Sequence, residues 1–179
     1  GLEGCVEWSH HRHLRQEADA NLHQEIRDNQ KELAETRAAI AKERENLINM
    51  LKFLEVRSLN QHYEIHSLSL NFTLATLRTA SWRTASAIGA LSYMEYLHVQ
   101  RYATAYQVQD EFSAIQAQTV DEFLQLESYM VFKFDPDKMP PADAKSAAAD
   151  VRLTLARLTA LDQIGDGLTK AYGQALVSD

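Results

Sequence analysis

From about Cys5 to Arg57 the chain follows an unbroken helical pattern, with no proline and no glycine after Gly4. Leu14, Ala18, Leu22 and Ile26 recur at spacing four, and Ile26, Leu33, Ile40, Leu47 and Leu54 then recur every seven residues as a narrow apolar seam. Asn29, Thr36 and Glu43 stand where a tight coiled coil places its second apolar residue, so the seam has half its usual strength. It broadens at Met50, Leu51, Phe53, Leu54 and Val56. This predicts that a core begins near residue 47 and that residues 1–46 project, largely solvated. A helix of this length spans ~80 Å, more than twice the width of the domain the remaining residues can build. It is a device for reach or tethering, and its half-strength seam offers a surface for a second copy of the chain.

Beyond it the pattern changes. Leu68, Leu70, Phe72 and Leu74 alternate with Ser67, Ser69, Asn71 and Thr73, the period of a strand, but no second strand-like segment lies nearby to pair with it. Residues 58–80 are therefore expected as an extended connection packed along the helices, with the Leu and Phe side chains inward. Thr79-Ala80-Ser81 offers a hydroxyl cap to a short helix over 81–94 that includes Trp82 and Ala85. Two longer helices follow. Val99, Tyr102, Tyr106, Phe112, Ile115, Phe123, Leu126 and Met130 share one face of a helix over 97–132. Ala148, Val151, Leu155, Leu158, Gly165, Leu168 and Tyr172 do so over 142–177. Between these two, Phe134-Asp135-Pro136-Asp137-Lys138-Met139-Pro140-Pro141 holds all three prolines, one of them suited to a first helical position.

The fold class that results is all-α: a helical bundle with one very long N-terminal helix, divided into a projecting part (1–46) and a bundle (47–179) within a single domain. Composition agrees. With 45% hydrophobic and 24% charged residues, 179 residues can bury one core, and only 6 Gly and 3 Pro leave few places for turns. A net charge of −7, with no basic stripe among 18 Lys and Arg, argues against nucleic acid as a partner. One cysteine, Cys5, permits no internal disulfide and no Cys-based zinc site. No apolar run reaches the ~20 residues that span a bilayer.

The stretch from Glu7-Trp8-Ser9-His10-His11-Arg12-His13-Leu14 through Glu25-Ile26-Arg27-Asp28-Asn29-Gln30-Lys31-Glu32-Leu33 resembles the segment that follows an N-terminal transmembrane helix in a group of small uncharacterised bacterial membrane-anchored proteins. Trp82-Arg83-Thr84-Ala85, with Gly89-Ala90-Leu91 and Met94, is similar to a second stretch of that group. The resemblance covers about a quarter of the chain. It implies a membrane anchor ahead of the first helix and a soluble part on the periplasmic side, and it implies no activity. Arg12 and Arg15 beside such an exit point toward the cytoplasm under the positive-inside rule, so topology stays open.

Candidate chemistry is sparse. His10, His13 and Glu17 fall on one helical face at metal-ligand spacing, but they read equally well as solvated side chains. Glu7-x-x-His10 and Glu95-x-x-His98 repeat the unit used by carboxylate-bridged di-iron bundles, although so short a motif recurs by chance. The metal candidates are thus His10, His13, Glu95 and His98. His62 and His66 share a face if their segment is helical, but Glu64 between them is misplaced for a zinc-protease motif. Neither Gly-x-Ser-x-Gly nor a phosphate-cradling glycine loop occurs. Trp82, Tyr93, Tyr96, Tyr102 and Tyr106 are expected chiefly as bundle core, with a ligand pocket as the alternative. Gly89 is expected to mark a close helix–helix contact. No cofactor and no catalytic residue is expected. The function these observations favour is a membrane-tethered sensing, scaffolding or protein-interaction domain that binds an unknown protein or small ligand. The alternative is a metal-binding helical bundle or metal-dependent enzyme.

Overall fold

The computed structural model describes residues 1–65, 68–133, 135 and 138–177. His66 and Ser67 of the connection, and Phe134, Pro136 and Asp137 of the proline-rich boundary, lie outside the described residues. The chain is all-α, a helical bundle with no strand among the described residues. Its elements are α1 (Leu2–Ser58), α2 (Ala80–Ala87), a 3-10 turn (Ala90–Tyr93), α3 (Tyr96–Lys133) and α4 (Pro141–Ala175). α1 ends where Asn60 takes a left-handed conformation at φ 58°, one that asparagine tolerates better than most residues. Pro141 opens α4 at the first helical position, where its missing N–H costs nothing.

Two compact units are present, and the three long helices contribute to both. The first comprises Gly1–Ala34, Ala75–Ser113 and Ile164–Asp179, and the second Glu35–Leu74 and Ala114–Gln163. In the first, Leu22, Ile26 and Leu33 of α1 are buried, together with Tyr102, Tyr106 and Phe112 of α3 and Leu168 and Tyr172 of α4. In the second, Ile40, Leu47, Met50, Phe53 and Leu54 are buried, as are Phe123, Leu126, Val151, Leu158 and Leu161. Burial on α1 thus begins at Ala18, well before residue 47, and the stretch expected to project is solvated only over about its first seventeen residues. The physical reason is that the polar seam positions are not solvent-facing interruptions: Glu25, Asn29, Thr36 and Glu43 are all buried within the chain. The seam through which a second copy was expected to pair is already covered.

Within the first unit α1 and α3 run parallel. Tyr102 donates to Asp19 at 2.6 Å, Tyr106 to Glu25 at 2.7 Å, and Asn29 to Gln109 at 3.0 Å, so sequence rises together along both helices. Within the second unit α1 and α4 run antiparallel, as the ion pairs Arg37–Asp162 and Arg152–Glu55 show. Parallel neighbours need a long return connection, and residues 59–79 supply it.

Among its described residues that return carries neither helix nor strand. Two of its N–H groups, and the Ser81 N–H at the start of α2, are bonded by α1 side chains. In the first unit the Thr76 N–H donates to Glu32, the Arg78 N–H to Asn29 Oδ1 at 2.8 Å, and the Ser81 N–H to Glu25 at 2.9 Å. In the second unit Phe72 packs on Phe123 with ring centroids 5.1 Å apart, and Leu68 and Leu70 are half-buried. Leu74, expected inward, is exposed, and Ala75 takes the buried place beside it. Arg57 fixes both connections of this unit, donating to the carbonyls of Gln61 and Met139.

The helix expected over 81–94 is shorter. α2 closes at Ala87, Gly89 turns the chain at φ 72°, and the 3-10 turn follows. Thr79 is the N-cap but its hydroxyl makes no capping bond, because Glu25 already accepts from the Ser81 N–H. Gly89 is not a close helix–helix contact either: a Cβ there would meet nothing within 4 Å. Glycine is needed for the left-handed turn.

Candidate functional site

The polar chemistry of the first unit has two layers along α1. The deeper is a closed hydrogen-bond network. Asn29 Nδ2 donates to the Arg78 carbonyl and to Gln109 Oε1, Asn29 Oδ1 accepts from the Arg78 N–H, Gln109 Nε2 donates to the same carbonyl, and Tyr172 donates to Gln109 Oε1 at 2.6 Å. Glu25 accepts from Tyr106 and from the Ser81 N–H, one bond on each carboxylate oxygen. Trp82 stacks on Tyr106 with centroids 5.1 Å apart. Burial, reinforced by the neighbouring carboxylates, pushes the phenols of Tyr102 and Tyr106 far above their ordinary range, so both remain donors. Every member of the Asn29 network has its partners, which describes a device for register rather than a reactive site.

The shallower layer lies one to two turns closer to the N-terminus. Asp19 and His23, at i and i+4 on α1, face His98 in the first turn of α3, and one ligand atom of each lies within 4.8 Å of the others. His98 Nε2 stands 3.9 Å from Asp19 Oδ1, and its side chain is 18% exposed. Tyr102, one turn beyond His98, orients the Asp19 carboxylate through its 2.6 Å hydrogen bond. The His23 and His98 rings are 6.1 Å apart. A cleft of about 240 Å³ opens onto this cluster, lined by Arg15, Gln16, Asp19, Met94, Glu95 and His98.

Of the four metal candidates drawn from sequence, His98 enters this cluster and Glu95 lines its cleft. His10 and His13 do not enter it. His10 is exposed beside His11, and His13 pairs with Glu17 at 3.7 Å on an exposed face. His62 lies outside any helix. Among the expected aromatics, Tyr102 and Tyr106 are core, Trp82 is half-buried, and Tyr93 and Tyr96 are exposed. Sequence reading did not single out Asp19 and His23. Their only signal was an Asp-x-x-x-His spacing beside the apolar seam, and it carries weight only once α3 is known to run parallel to α1.

A second cleft sits at the start of α1, lined by Trp8, His11, Arg12, Arg15 and Tyr93. His11 stacks on Tyr93 at 4.1 Å, and the Arg12 guanidinium lies 5.4 Å from the Trp8 ring centre. Among the described residues, no helix is long and apolar enough to cross a membrane. Comparison with protein-family models, with curated proteins and with solved structures finds no match for this chain.

Proposed function

We propose that this chain is the helical part of a membrane-tethered interaction domain, acting by binding rather than by catalysis, with the first turns of α1 seated at the lipid headgroup boundary. The observation that carries the reading is the exposure of Leu2, Val6 and Trp8, at 87%, 68% and 64%, on the first turns of α1. Arg12 and Arg15 follow within the next two turns. Apolar side chains, then a tryptophan, then arginines is the order in which a helix leaves a bilayer, with tryptophan at headgroup depth and the cations in the phosphate layer. α1 runs on without a break from that boundary. The resemblance of the Glu7–Leu14 and Trp82–Ala85 stretches to membrane-anchored proteins supports the same placement, with the periplasmic side as its orientation. The bound partner is a protein or a small ligand.

The test is flotation of the protein with phosphatidylcholine vesicles, with and without phosphatidylglycerol, together with Trp8 fluorescence in a Trp82→Phe background. Binding to the anionic vesicles with a blue shift of Trp8 emission is expected. Protein that stays at the bottom of the gradient, with unshifted emission, would overturn the reading.

A further inference from the structure

Asp19, His23 and His98 supply one carboxylate and two imidazoles from two parallel helices, with all three side chains half-buried. That donor set matches the three-ligand sites of catalytic and regulatory zinc, and of other divalent first-row metals. We propose that these three residues bind one divalent transition-metal cation of the zinc class, with Glu95 as a further carboxylate on the open side. The proposal does not depend on the membrane reading.

Three features of the molecule support it. First, the geometry is close to closing. Tetrahedral ligand atoms stand about 3.4 Å apart around a cation with ligands at about 2.1 Å, and one ligand atom from each of the three residues already lies within 4.8 Å of the others. Second, an outer shell is in place. The Tyr102 hydroxyl holds Asp19 by one oxygen, and Tyr102 is itself fully buried, so the carboxylate is oriented by a side chain that cannot move away. Third, the cluster opens onto the cleft lined by Glu95 and Arg15, which gives the cation an entry path and free coordination positions. Arg15 opposes a bare cation by charge, while Asp19 and Glu95 offset it, and an anion completing the coordination would meet the guanidinium. The His10, His13 and Glu17 set is exposed, with His13 and Glu17 pairing only loosely at 3.7 Å, so it serves as an internal control.

The experiment is a Co²⁺ and Zn²⁺ titration of tag-free, chelator-treated protein, read by visible d–d absorption for Co²⁺ and by competition for Zn²⁺. One ion per chain is expected. His23→Ala and His98→Ala should each weaken binding about tenfold or more. A His10→Ala/His13→Ala double variant should bind like the wild type, and Arg15→Ala should bind no more weakly. Far-UV circular dichroism before metal addition checks each fold, and His98→Gln, which keeps most of the side-chain volume, replaces any alanine variant that fails to fold. Binding unchanged in His23→Ala and His98→Ala would overturn the site, as would binding lost only in the His10/His13 double variant. So would no binding at about 0.1 mM free Zn²⁺.

Discussion

Asn29 of α1 and Gln109 of α3, eighty residues apart in sequence, are joined by a 3.0 Å hydrogen bond, and both side chains also close on the backbone of Arg78. Three segments meet at this one amide pair, and Tyr172 of α4 adds a fourth through Gln109. Removing Asn29 leaves the Arg78 N–H without its acceptor and takes one donor from the Arg78 carbonyl and from Gln109, whereas removing Gln109 leaves the buried Tyr172 hydroxyl without its acceptor. Asn29→Ala is expected to destabilise the protein by about 2–4 kcal/mol, measured by urea unfolding. Asn29→Ala and Gln109→Ala together should cost clearly less than the sum of the two single changes.

Hydrogen exchange should reveal how α1 side chains hold the connection. The Arg78 and Ser81 amides, bonded to Asn29 and Glu25, are expected to be protected although they belong to no ladder and to no helix interior. In Asn29→Ala the Arg78 amide should exchange at least about tenfold faster, as loss of ~1.4 kcal/mol of local protection implies. Equal exchange rates in the two proteins would show that the side chain does not hold the segment.

Glu43 is a carboxyl buried on the seam of the second unit, and desolvation lifts its pKa above the ordinary carboxyl value. The Asn46 side chain, the Asn71 amide and Lys42 pull it back only in part. A carboxyl with a folded pKa above its unfolded one binds more protons when folded. Its contribution to stability is therefore full below pH 4.5 and is lost as pH rises through the raised value. Glu43→Gln keeps an acceptor for Asn46 and removes the ionisation. The variant should melt higher than the wild type at pH 8, and the difference should shrink toward pH 4.5, measured by thermal melts across that range.

Gly89 holds φ 72° with open space where a side chain would sit. Gly89→Ala is expected to cost about 1–2 kcal/mol through the left-handed backbone, and Gly89→Asn less, since asparagine tolerates that region. Gly89→Leu should lower the melting temperature about as much as Gly89→Ala, because no neighbour is struck. A leucine far worse than alanine would point to a contact after all.

The helices were legible because their apolar periodicity and their proline and glycine punctuation are local signals; α1, α3 and α4 begin and end within a few residues of where the pattern puts them. The extent of burial on α1 was not. Asn29, Thr36 and Glu43 look like interruptions when only one helix is considered, and their meaning depends on Arg78, Gln109 and the Asn71 amide, which no spacing rule places beside them. The same holds for the candidate metal cluster. Glu95-x-x-His98 is visible as a local motif, whereas the partnership of His98 with Asp19 and His23 follows from parallel packing of α1 and α3, which the sequence does not announce.

The polar seam also has a consequence in time. α1 leaves the ribosome ahead of its partners: Tyr102, Tyr106 and Gln109 follow Asp19, Glu25 and Asn29 by 83, 81 and 80 residues. A fully apolar heptad stripe waiting that long would pair with the same stripe on a neighbouring nascent chain. With an amide, a hydroxyl and a carboxylate at alternate positions, the waiting helix gains little from a copy of itself. The return segment and α3 of its own chain carry the partners of Asn29, and the Asn71 amide of the return bonds Glu43, so residues that weaken the seam also reserve it.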